Sequence, residues 1–218
     1  MTTITPHPIS EAAGADATAP KALLLAAPLL MAVARALLVP FDDEDWDATM
    51  TSMAEHQGRS DAGWLLAIVA CGLLAVTAVA LANRLRGAGK ARTATFVTIT
   101  TAVGWAATAA ICLGGLYLSV AAGAPDRAAQ VALQEDFNEG ASGFVFLMTA
   151  VAAVGYITLA VSLARSHLVT KGAAALLAVG GVATLLTMAG PITALLVTAA
   201  LLLTAGHALA ARVDADSV

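Results

Sequence analysis

Apolar residues run along this chain in long unbroken stretches separated by short polar segments, without the tight alternation of a soluble core. The first stretch covers 22–40; nineteen residues rising 1.5 Å each span roughly 28 Å, about the hydrocarbon thickness of a bilayer. Later stretches at 62–82, 95–120, 141–164, 172–190 and 191–211 predict five more crossings. The last two are contiguous. As a single helix, 172–211 would be about 60 Å long, twice what a membrane accommodates. Gly190-Pro191 supplies a fold-back point, because proline disfavours helix at the residue before it and glycine tolerates a turn. The pattern therefore predicts an all-α, polytopic transmembrane bundle over 21–212, six spans arranged as three hairpins. Residues 1–20 and 213–218 flank it as polar tails, the first without apolar periodicity and read as disordered.

A cleaved secretory signal is the competing reading of the first stretch, since Ala34-Arg35-Ala36 imitates a small-x-small cleavage site. The apolar run continues past that point through Leu37, Leu38 and Val39, which favours an uncleaved span.

The polar segments differ in charge. Lys21, Arg84, Arg86, Lys90, Arg92, Arg165, Lys171 and Arg212 fall at one set of span ends. Segments 41–61 and 123–140 hold only Arg59 and Arg127 as cations, together with 11 of the 15 carboxylates. The positive-inside bias then predicts both termini in the cytoplasm of a cell-membrane protein. Each acidic segment also carries an amphipathic stretch. Trp46, Met50 and Met53 share one face between Asp45 and Gln57, and Ala129, Leu133 and Phe137 recur every four residues in the second segment. Both predict short interfacial helices. The resulting pairs of spans, one and two beside three and four, read as a parallel internal repeat.

Composition narrows the function classes. The chain is 59% hydrophobic and 12% charged, with a mean hydropathy of +0.83, so lipid is its main partner. Roughly a quarter of the residues are alanine, which favours close helix approach. No Asp, Glu or Lys interrupts any span, an absence that weighs against ion-coupled transport. The cations between Arg84 and Arg92 are accounted for by topology and anionic headgroups, so nucleic acid is not an expected partner. The pattern resembles that of many small bacterial membrane proteins and carries no hydrolase, zincin or phosphate-loop motif. No cofactor or enzymatic activity is expected.

The candidate sites are few. Arg35 is the one charge within a span; it can snorkel to the interface or pair with a carboxylate of Asp42, Asp43, Glu44, Asp45 or Asp47. That acidic run can also attract divalent cations, although Ala48 and Ala54 stand where an EF-hand needs glycine and glutamate. Trp105 and Thr108 in span three, with Thr149 and Tyr156 in span four, are candidates to line a small polar pocket near mid-membrane. Cys71 and Cys112 fall at similar depth and can be neighbours, where free cysteine ordinarily behaves as a small hydrophobe. His207 reads as an interfacial residue. Together these features predict a non-enzymatic accessory or interaction component, acting on a membrane-protein partner or a second copy of itself. The alternative is a facilitator or binder of a small apolar or amphipathic molecule.

Overall fold

The computed structural model describes residues 21–39, 45–186 and 193–212. These fold into seven helices with no strand among them: α1 (Lys21–Leu37), α2 (Trp46–Glu55), α3 (Gln57–Gly87), α4 (Ala91–Ala122), α5 (Arg127–Arg165), α6 (Lys171–Leu186) and α7 (Thr193–Arg212). Three helical segments are long and apolar enough to cross a membrane: Gln57–Gly87, Ala91–Ala122 and Leu147–Arg165. The six crossings predicted from apolar runs are thus matched by three. The other apolar helices, Ala22–Leu37, Lys171–Leu185 and Val197–Ala211, are shorter. The first run overstates its helix because Pro40 disfavours helical backbone just before it, and α1 ends at Leu37. Gly190-Pro191 and the two tails lie outside the described residues.

The connections depart further from expectation. The second acidic segment forms no separate interfacial helix. Arg127 to Arg165 is one uninterrupted helix of 39 residues, because the change from polar to apolar side chains near residue 140 marks a change of solvent, and glycine alone weakens a helix without breaking it. The first segment does form its own helix, α2, separated from α3 by His56 alone. The turn after α3 is closed by a left-handed Gly89 (φ 78), with Lys90 N–H donating to Leu85 O at 2.9 Å. After α5 the same arrangement recurs with His167 at φ 55 and Leu168 N–H donating to Leu163 O at 3.0 Å.

The six longer helices close into a ring in chain order: α1 packs on α3, α3 on α4, α4 on α5, α5 on α6, α6 on α7, and α7 returns to α1. Small residues set the spacing. Gly104 of α4 faces Ala152 of α5, and Thr100 faces Gly155, so α4 and α5 run antiparallel. Gly180 against Leu203 and Gly206 against Leu177 give the same geometry for α6 and α7. Across α3 and α4 the register is Trp64 on Gly115 and Gln57 beside Gly123. The short α2 lies against α4, α5 and α3 at one end of the ring. Trp46, Thr49, Met50 and Met53 are all buried there. The apolar face read as lipid-facing is covered by protein, making α2 a cap on the bundle.

Candidate functional site

The acidic cap is built from the start of α2. Asp45 is its N-cap, accepting from Ala48 N–H at 2.8 Å and satisfying one of the helix's free donors. Asp47 in the first turn binds Arg127, the first residue of α5, with Oδ1 2.7 Å from Nη2 and 3.0 Å from Nε. Arg127 Nη2 also donates to the Asp47 carbonyl at 2.8 Å and to the Thr51 hydroxyl. The two acidic segments are thereby joined to each other. Asp42, Asp43 and Glu44 lie outside the described residues.

Arg35 makes no ion pair with Asp45 or Asp47, and its side chain is covered by protein. Its side chain is 2% exposed, and neither Nε nor Nη2 has a hydrogen-bond partner among the described residues. The reason lies in the helix: side chains lean toward their own N-terminus, so Arg35 points along α1 into the bundle and away from its nearer end. Arg59 takes the role at that end, donating to the carbonyls of Leu37 at 2.9 Å and Leu38 at 3.3 Å and so satisfying the frayed end of α1. The signal for both Arg59 and Arg127 was present in the sequence: each is the lone cation of an acidic segment.

Deeper in the ring, Cys71 of α3 and Cys112 of α4 are both buried free thiols, set at neighbouring levels by the register that packs Trp64 on Gly115 and close enough to interact. The Arg35 guanidinium is close enough for its charge to act on both. Helices α3 and α4 therefore do bring the two cysteines together, and α1 brings Arg35 to them.

Trp105 and Tyr156 also meet. The indole N–H donates to the phenol oxygen at 2.9 Å, with the rings edge to face and centroids 6.0 Å apart. Thr108 and Thr149 are buried on the same two helices. The interface holding these four side chains is filled: Gly104 abuts Ala152, and a methyl group at Gly181 of α6 would lie 2.5 Å from the Tyr156 ring. A shallow groove does run between α4 and α5, but it opens sideways and is lined by Phe96, Thr100, Ala150, Val151 and Val154.

At the opposite end, His207 is fully buried by protein, five residues before the end of α7. Its Nδ1 lies 2.9 Å from the Leu203 carbonyl, which can only accept, so Nδ1 carries the proton; Nε2 lies 3.5 Å from Thr77 Oγ1 of α3. Arg84 of α3 donates to the Ala210 carbonyl of α7 at 3.1 Å, joining the C-terminal ends of both helices. Among the described residues, no three His, Cys, Asp or Glu side chains converge as a many-liganded metal centre requires. No family model matches this chain, and neither a curated protein nor a solved structure is similar to it.

Proposed function

We propose that this chain is a multi-pass protein of the cell membrane, crossing six times as three helix pairs with both termini in the cytoplasm, and that it is a non-enzymatic interaction component. The crossings of α1, α6 and α7 rest on their place in the same ring as the three long helices. A span of 17 residues, about 26 Å, is carried by modest thinning of the bilayer around it. The orientation rests on charge: Arg84, Arg86, Lys90 and Arg92 lie at one end, and the acidic cap lies at the other.

The observation that carries the interaction reading is the filled α4–α5 interface. With Trp105 bonded to Tyr156 and Gly104 against Ala152, the chemistry free to act is on the surfaces: the acidic cap and the basic turn after α3. Photo-crosslinking from exposed positions of α2 in native membranes tests it, paired with mass measurement in mild detergent. A second copy or a reproducible membrane-protein partner is the expected product. A clean monomer without crosslinks overturns the reading.

One observation favours the facilitator or binder reading instead: the lateral groove at Phe96, Thr100 and Val154, which suits a lipid-like molecule arriving from the membrane. Under that reading, Thr100→Val and Val154→Phe, both on the groove wall, alter tolerance or uptake across a panel of amphipathic compounds. An unchanged panel removes it.

A further inference from the structure

Arg35 presents an unresolved electrostatic problem. A guanidinium buried without hydrogen bonds at Nε and Nη2 inside a membrane bundle is strongly unfavourable unless an opposite charge sits beside it. No carboxylate lies within the apolar runs, and Asp61 near the start of α3, whose buried Oδ1 has no hydrogen-bond partner, forms no ion pair with Arg35 among the described residues. Gly63 of α3 packs on Ala34 and Leu38, so the Arg35 backbone is level with the region around Gly63. The lean of its side chain carries the charge along α3 toward Cys71. The soft ligand atoms at that level are the Cys71 and Cys112 sulfurs, both fully buried and set at neighbouring levels by the packing of Trp64 on Gly115. Met31, fully buried and one turn from Arg35 on the same face of α1, adds a thioether to the same part of the core.

We infer that Cys71 and Cys112 form a two-coordinate site for a soft monovalent metal ion, Cu(I) or its surrogate Ag(I), with Arg35 as the built-in counter-charge. Soft thiolates select such ions, and two ligands suffice for them, whereas zinc requires about four. The charges balance. Two thiols release two protons to solvent as the ion binds, the dithiolate complex carries one negative charge, and Arg35 neutralises it. No electron is transferred, because the metal arrives already monovalent. Calcium and magnesium would need oxygen ligands that this locus lacks. The inference goes beyond the interaction reading and stands whether or not a partner exists.

The test uses the full chain, reduced, in mild detergent under anaerobic conditions, titrated with Ag(I), then with Cu(I) against a competing chelator. We expect one ion retained per chain, sulfur ligation by X-ray absorption, and a rise in unfolding temperature. Cys71→Ala and Cys112→Ala, each checked for folding by size exclusion, lose at least about 100-fold in affinity because a single thiolate remains. Arg35→Gln keeps both sulfurs and weakens binding about 10-fold through loss of the counter-charge. Folded wild-type protein that retains no ion overturns the site, as does equal retention by the alanine variants. Ready air oxidation to a Cys71–Cys112 disulfide, with no metal uptake by the reduced form, reassigns the pair as a redox dithiol. Unchanged affinity in Arg35→Gln overturns the role given to that residue.

Discussion

Gly104 approaches Ala152 so closely that a methyl group there has no room, while Gly114, ten residues along the same helix, faces open space. The two glycines are indistinguishable as letters, and helix propensity favours alanine at both. The outcomes should diverge. Gly104→Ala is expected to cost about 1–3 kcal/mol by forcing α4 and α5 apart, whereas Gly114→Ala gains up to about 1 kcal/mol. Thermal unfolding of both variants in one detergent checks the contrast, and equal effects would mean that α4 and α5 do not meet at Gly104. The Arg127–Asp47 pair yields to the same kind of comparison. The Asp47 carboxylate is largely exposed, so the ion pair itself contributes under about 1 kcal/mol. Arg127→Ala should cost more than Asp47→Ala, because it also removes the bonds to the Asp47 carbonyl and to Thr51. A double-mutant cycle separates those contributions. The fate of Arg35 shows why site residues were only partly legible. Its place near the end of an apolar run suggested an escape to the interface, but whether a long side chain goes outward or inward is decided by neighbouring helices, which a single sequence does not display. Trp105 and Tyr156 were legible as members of one candidate polar pocket near mid-membrane, with Thr108 and Thr149. That they satisfy each other and fill the space between them was not.

Helices keep their hydrogen bonds internal, so they pass from water into lipid without a break, and hydropathy alone therefore locates the solvent boundary rather than the end of the backbone element. This explains α5. Its apolar part was read at 141–164, while the helix begins at Arg127. For α2 the reverse holds: the element and its apolar face were read correctly, but an amphipathic face looks the same whether lipid or protein covers it. Helix ends are more local. Both the α3 and α5 termini use the left-handed closing residue, one with Gly89 and the other with His167. A side chain at positive φ is strained by roughly 1 kcal/mol relative to glycine. His167→Gly should therefore raise stability by up to about 1 kcal/mol, while Gly89→Ala should lower it by a similar amount. Chemical denaturation in mixed micelles reads both. A loss of stability in His167→Gly would mean that the imidazole makes contacts outweighing the backbone strain.

The ring gives the whole molecule a property that no single helix has. Its first and last described helices pack on each other, so α1 cannot separate from its neighbours without opening the bundle. The same closure makes the topology testable with few labels. The turn holding Gly89 and the turn holding Ala124 lie at opposite ends of α4, which at 32 residues is about 48 Å long. In the six-crossing arrangement the Gly89 turn faces the cytoplasm and the Ala124 turn faces outward. The native cysteines help, since Cys71 and Cys112 are wholly buried and should react slowly with a charged maleimide in intact membranes. Ala88→Cys should be modified only after the cells are opened, and Ala124→Cys in intact cells. A further label at Thr170, in the turn before α6, should behave like that at Ala88, because an even number of crossings separates them. Labelling of both Ala88→Cys and Ala124→Cys from the same side would mean that α4 does not cross. Labelling of Thr170→Cys together with Ala124→Cys, with Ala88→Cys still protected, would place the failure in α5. The charge pattern supplies the direction. In the proposed orientation the cations at Arg84, Arg86, Lys90 and Arg92 hold the first of these turns inside, so replacing all four with glutamine should weaken the bias and produce a mixed population at Ala88→Cys.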